Sequence, residues 1–447
     1  MDAKTKKKAG TFTLNKTEPI HSWYSYVEGY SSCLVSDQLD ALAGENIKTV
    51  YDPFGGTGTT PLVAVQRGLH AYYSETNPFM LQVIDSKINC VKRLVDSGIG
   101  TSYLRDFRAL LASTPIQLSL EYESSWDGFE KFFAPCQLHD LLLIQQMIDS
   151  VNENDSKELL MLALSSITVP VSKMVRRGDL RYATDKEKDL SSINVPDEFL
   201  KKLDTIIEDI EETGTSIRFF AEPLSDDARD ISIENIIDCV ITSPPYLNGT
   251  NYIRNTKLEL KVNGFVKTEK DLPAFHSKGI IAGINNVSKR SGEIPILPVV
   301  KPYIDALEPV VYDPRITSMV AGYFNDMSVV ISRLSHALRD GGFFIMDIGD
   351  SQFAGVHIPT HDILSKIAAS FGFEKYDESI LRERRSKNGM VLSQRVLKFK
   401  LHKTTSDVDI FRNQALTFIS NIQYIFIRLR ICSEGLRCIP AGNKGQG

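Results

Sequence analysis

A chain of 447 residues with 42% hydrophobic and 24% charged residues lies in the ordinary globular range. That excludes a wholly disordered or fibrous protein and leaves room for two or three domains' worth of core. Its 51 Lys+Arg against 56 Asp+Glu give a net charge of −5, so no overall positive field advertises nucleic acid. A basic groove can still hide inside a neutral total. No apolar run approaches the ~18 residues of a spanning helix, and the lysines of MDAKTKKKAG lack the apolar segment of a signal peptide. The six cysteines contain no CxxC pair, so a disulfide framework or zinc site is not expected and a cytoplasmic location fits. His357 and His361 are split by Pro359, which argues against a shared helical metal face.

In chain order, residues 1–18 are polar and read as a flexible tail. IKTVYDP (47–53) and HAYYSE (70–75) are strand-like runs separated by a helix-length segment, the βαβ rhythm of a parallel sheet. Residues 85–215 then read as a helical insertion. Within it Pro196 opens a helix that aligns Phe199, Leu203, Ile206 and Ile210. The basic stretch Lys173 to Lys188 reads as a solvated loop. Strands resume at 216–222 and 236–242, and residues 247–317 are irregular. Val320, Phe324, Met327, Ile331, Leu334 and Leu338 then stripe one long helix, which Gly341-Gly342 is expected to end. A buried strand GGFFIMDIGD, a helix near 360 and two closing strands complete the set. The pattern predicts a Rossmann-like, doubly wound α/β sheet of about seven strands with a helical insertion.

Asp52-Pro53-Phe54-Gly55-Gly56-Thr57-Gly58-Thr59-Thr60 follows the first strand and leads into a helix. Glycines there let a ligand approach the backbone, and the helix start offers free N–H groups. A triphosphate-binding loop needs Gly-Lys-Ser/Thr, which is absent, and a dinucleotide fingerprint wants glycine where Pro61 stands. S-adenosylmethionine fits better, with Glu75 ending the second strand as the acid for both ribose hydroxyls. A purely structural glycine turn is the competing reading.

Thr242-Ser243-Pro244-Pro245-Tyr246 ends the strand IIDCVIT at the carboxyl edge of the sheet. The prolines fix φ and remove two donors, leaving a rigid, acceptor-rich turn. Ser243, before proline, is biased to extended backbone, and Tyr246 supplies a flat face. Such a site suits a planar base with an exocyclic amine: accepting its hydrogens through Ser243 Oγ and the Pro244 carbonyl would free the conjugated lone pair. An ordinary proline turn is the bland alternative.

The pair DPFGGTGTT and TSPPY resembles the amino-group DNA methyltransferases, which modify cytosine N4 or adenine N6 using S-adenosyl-L-methionine. HSWYSYVEGYS (21–31), containing Tyr26, is similar to the family segment that closes over the methionine end of the cofactor. SDDARD resembles the motif whose acid reaches the adenine amino group, with Asp227 the best match. The resemblance implies cofactor contacts at Tyr26, Asp52, Pro53, Phe54, Gly56, Gly58, Thr59, Glu75 and Asp227, and catalysis by Ser243, Pro244, Pro245 and Tyr246. TSPPY rather than Asp-Pro-Pro-Tyr leans toward cytosine N4 in that family.

The implied organisation is methyltransferase core over 19–84 and 216–400, with target recognition expected in 85–215 and a DNA-contacting insertion at about 247–317. The extension 401–447 matches nothing in the family. The implied partner is double-stranded DNA, with a cognate restriction endonuclease or defence subunit beside it. Expected DNA contacts are Asn251, Tyr252, Arg254, Lys257, Arg176 and Arg177, in stretches that interleave polar and basic groups. An RNA methyltransferase, a non-catalytic nucleic-acid binder and a nicotinamide oxidoreductase are competing readings. The first lacks an appended RNA-binding module, the second has intact motifs against it, and the third leaves TSPPY unexplained.

Overall fold

The computed structural model describes residues 8–403, apart from 114–116, 120–121, 123–125, 127, 248–250, 277, 285–286, 288–293 and 387–388. Its strands are β1 (Thr49–Asp52), β2 (His70–Ser74), β3 (Met174–Arg177), β4 (Asp179–Tyr182), β5 (Ala221–Ser225) and β6 (Ile237–Thr242). There follow β7 (Leu338–Gly349), β8 (Ser351–Phe353), β9 (Val356–Ile358), β10 (Phe373–Arg385) and β11 (Val391–Leu401). Seven of them form one sheet in the order β10-β11-β7-β6-β1-β2-β5. The pairs from β7 to β5 are parallel, and β11 and β10 add antiparallel edges. This is the doubly wound α/β architecture that the strand–helix rhythm predicts.

Strand alternation splits the core between the two faces of the sheet. Val50, Cys239, Ile241, Phe343 and Ile345 join the cluster that packs the insertion helices, among them Asn154–Val171 and Val195–Thr213. Tyr51, Val240, Phe344 and Met346 join the opposite cluster, under the helices Arg315–Ala337 and Thr360–Ala369. Every residue of β6 is buried, as expected of a central parallel strand covered on both faces. Among the described residues, no helix is long and apolar enough to cross a membrane.

The site is located by topology. β1 pairs with β2 on one side and β6 on the other, so successive connections leave β1 in opposite directions. A crevice opens at such a reversal, outside the carboxyl ends of the strands. The glycine turn after β1 and the proline turn after β6 therefore become neighbours.

Several expectations are corrected. Residues 8–18 are not a frayed tail: Ala9, Phe12 and Asn15 are buried, and Asn15 binds the Tyr30 carbonyl and the Ser32 amide. Residues 1–7 and 404–447 lie outside the described residues. The long helix ends at Ala337, before the glycine pair; Gly341, at φ +72°, instead forms a bulge where β7 shifts register against β6. The fifth strand starts at Ala221, because Ser216 still closes a short helical turn and Phe219 packs on the His70 ring.

The basic stretch from Lys173 is the β3–β4 hairpin, turning at Gly178 with φ +81°. Arg176 is largely buried there, its side chain 10% exposed, binding Glu259 and the Asn255 carbonyl, while Arg177 is exposed and pairs with Glu187. Removing one member of a buried ion pair strands the other charge, at a cost of about 3–5 kcal/mol. Arg176→Ala is therefore expected to lower unfolding stability by that amount in urea titrations, whereas Arg177→Ala leaves the midpoint unchanged. Equal midpoints for the two variants would contradict the assignment.

Candidate active site

The turn after β1 uses glycine where only glycine fits. Gly56 and Gly58 have φ of +52° and +80°, left-handed values that side chains rarely adopt. A Cβ on Gly55 would lie 2.9 Å from Ile84 Cδ1, so the turn also presses against the neighbouring helix. Glu75, just beyond β2, crosses to this turn: its carboxylate accepts from the Gly56 amide at 2.8 Å and the Asn77 amide at 2.8 Å. Burial pushes its carboxyl up to about 7.

The second turn follows β6 directly. Tyr246 is held from three sides. Its hydroxyl donates to Asp347 Oδ2 at 3.1 Å, and the Gln394 amide donates to that hydroxyl at 2.8 Å. Its backbone N–H donates to the Tyr252 hydroxyl at 3.1 Å. Its ring lies on Gly349, where an added Cβ would come within 3.0 Å of Cε2. Burial pushes the Asp347 carboxyl up to about 7. The Cδ2–Cε2 side of the ring is thus packed, and these contacts set the orientation of the ring before any ligand arrives.

The two turns share one cleft of about 300 Å³. Tyr26, Pro53, Phe54, Gly56, Thr59, Glu75 and Asp227 line it together with Ser243, Pro244, Pro245 and Tyr246. Tyr252 joins them. The other expected cofactor contacts lie behind the wall. Gly58 is packed against Ile84, with room for a Cβ only at 3.1 Å. Asp52 is 1% exposed and fully engaged: it accepts from Thr242 Oγ1 at 2.6 Å, Tyr30 Oη at 2.8 Å and the Phe54 amide at 3.0 Å. Tyr30 also shares a hydrogen bond with Thr60.

The expected DNA contacts mostly dissolve into structure. Asn251 is buried and caps the helical turn Tyr252–Asn255. Lys257 is buried, with Nζ 2.7 Å from Glu269 and 3.8 Å from the centre of the Phe132 ring. Arg176 belongs to the buried pair described above, and Arg177 is tied to Glu187. Arg254 is exposed. A positive residue in an irregular stretch suggests solvent, but acids elsewhere in the chain have claimed these.

Other contributors escaped the sequence reading. Asp347 and Gln394, which aim Tyr246, sit in strands; a lone carboxylate inside FFIMDIG was the available signal, because a buried acid needs a partner. Lys87 is 1% exposed and donates to the carbonyls of Thr57 and His21, tying the glycine turn to the segment that precedes Tyr26. It lies in a π-helical turn, Ser86–Cys90, that no pattern announced.

No family model matches the chain. It is 23% identical over 441 residues to the Type II methyltransferase M.BsoBI of Geobacillus stearothermophilus, covering 87% of this chain and 85% of that protein. The Type II methyltransferase M.AvaI of a Nostoc species is 22% identical over 408 residues, with 82% of each covered. The Type II methyltransferase M.MvaI of Kocuria varians is 24% identical over 255 residues, covering 53% of this chain and 55% of its own. These similarities support a methyltransferase family. S-adenosylmethionine is the methyl donor that this family and fold imply.

The cleft fits that donor. Gly56 leaves bare backbone at the cleft wall, the lining Glu75 carboxylate would accept from paired hydroxyls, and Asp227 would supply a further acceptor beside its Arg229 partner. Ionised Glu75 would accept from both hydroxyls, and burial pushes its carboxyl up to about 7. Affinity for S-adenosylhomocysteine, read by calorimetry, is therefore expected to fall as pH is lowered from about 8 to about 6, approaching tenfold per unit below the pKa. Glu75→Gln should flatten this dependence. A wild-type profile already flat over that range would contradict the role.

Proposed function

We propose that the chain is a site-specific DNA methyltransferase acting on the exocyclic amine of a base rotated out of the duplex, cytosine N4 in preference to adenine N6. The observation that carries this reading is the single cleft lined by both Gly56 and Ser243–Tyr246. The Type II methyltransferase names of the relatives support DNA as the substrate and a companion restriction endonuclease as the partner. A cytoplasmic setting belongs to the same proposal.

The bound cofactor supplies an electrophilic methyl carbon on a good leaving group. The protein's own residues do the rest. Ser243 Oγ and the Pro244 carbonyl accept the amine hydrogens, drawing nitrogen toward tetrahedral geometry. Proline at 244 and 245 removes donors that would compete for that amine. The ring of Tyr246 stacks on the base, returning about 1–3 kcal/mol. That offsets much of the few kcal/mol needed to unpair and unstack it. Because Asp347 and Gln394 already hold the ring, little orientational freedom is lost on capture. A serine in place of a carboxylate leaves the amine facing a neutral acceptor, which with the TSPPY resemblance favours cytosine. The insertion 85–215 and the exposed Arg254 are the proposed sources of target recognition.

Incubation with S-adenosylmethionine and genomic duplex, followed by digestion to nucleosides and mass spectrometry, is expected to yield N4-methylcytosine. N6-methyladenine would move the assignment to the other base, and unmethylated duplex would refute the function. Ser243→Ala should lower methyl transfer roughly 10²-fold with S-adenosylhomocysteine affinity retained. Tyr246→Ala should weaken capture of the base, whereas Tyr246→Phe keeps the ring and loses only its anchor. Loss of cofactor affinity alone in Ser243→Ala would show that the serine has been given the wrong role.

A further inference from the structure

The expected basic contacts are largely neutralised, which raises the question of what meets the phosphates beside the cleft. Arg176, Lys257, Lys278 and Arg229 each face a carboxylate, from Glu259, Glu269, Asp226, and Asp227 with Asp326 respectively. Two arginines of β10 differ. Arg382 and Arg384 are exposed and make no ion pair among the described residues, although Arg382 lies near enough to the buried Asp347 to favour its charged form.

Their direction follows from register. β11 runs antiparallel to β7 with Gln394 opposite Gly349, so the β10–β11 hairpin leaves the sheet at the edge where Tyr246 lies. Directly opposed residues on antiparallel strands share a face. Arg382 stands opposite Gln394 and Arg384 opposite Leu392, two residues further along. The Gln394 amide reaches the Tyr246 hydroxyl at 2.8 Å, so both arginines lie on the Tyr246 side. Arg382 itself lines the cleft. Glu383, between them, faces away by strand alternation.

We propose that Arg382 and Arg384 form a phosphate-binding wing that grips the duplex backbone beside the everted base. The inference rests on the duplex substrate argued above. Both guanidiniums project from one exposed strand face, and a phosphodiester accepts forked hydrogen bonds from such groups. The wing carries no base readout, so it holds any duplex alike and leaves sequence choice to other elements.

The test measures duplex affinity by fluorescence anisotropy at stepped salt, in the presence of S-adenosylhomocysteine. Each phosphate contact contributes about one unit to the slope of log affinity against log salt. The double variant R382A/R384A should lower that slope by about two units and weaken unrelated duplexes equally, with S-adenosylhomocysteine still bound. R382K/R384K should keep most of the slope. Wild-type slope and affinity in an R382A/R384A protein that still binds S-adenosylhomocysteine would overturn the wing while leaving the duplex reading intact. If the double variant does not fold, R384A alone, outside the cleft wall, decides by a loss of about one unit. Wild-type protein that binds and methylates no duplex, or that binds RNA alone, refutes the duplex reading and the wing with it.

Discussion

One buried carboxylate holds the two halves of the site together. Asp52 ends β1 and Thr242 ends β6, and their hydrogen bond ties the two turns where they leave the sheet. Tyr30 binds the other oxygen, so the segment that carries Tyr26 is fastened to the same point. Burial pushes the Asp52 carboxyl up to about 6 even with its hydrogen-bond donors pulling the other way. Thr242, Tyr30 and the Phe54 amide donate to it. A carboxylate with its acceptors committed in three directions is a geometric joint, and each loop inherits its position from it.

Around this joint the charges are sorted. The interior gathers acids: Glu75 and Asp347 are both pushed up to about 7 by burial, and Asp227 stands at the wall. A cationic sulfonium gains from such surroundings. Cations beneath the surface are consumed in pairs such as Arg176–Glu259, which brace the 85–215 insertion against the helix Lys257–Val262. The net charge of −5 is therefore compatible with a polyanionic substrate, because what matters is which guanidiniums stay unpaired at the rim.

The legible parts of the sequence were those in which local backbone chemistry dictates the residue. Gly56 needs a positive φ, Pro244 and Pro245 stiffen a turn, and both loops end apolar runs that could only be central strands. Doubly wound topology then placed the turns side by side. Tertiary partners stayed hidden. Arg176 and Lys257 resembled solvent-facing cations because Glu259 and Glu269 come from other elements of the fold. Asp52 read as a ligand contact since nothing local shows that Tyr30 and Thr242 already occupy it. Lys87 gave no signal, as a π-helical turn leaves no mark on the hydrophobic period. The arginines of β10 were passed over as part of a closing strand, although their register against Gln394 brings them to the cleft.

A crystal structure of the protein with S-adenosylhomocysteine tests the central claim most directly, namely that two remote turns build a single reaction chamber. The nucleoside is expected against Glu75 and Asp227, with the sulfur turned toward Ser243 and Pro244. Density for the ligand outside that cleft, or with its sulfur facing away from the proline turn, would contradict it.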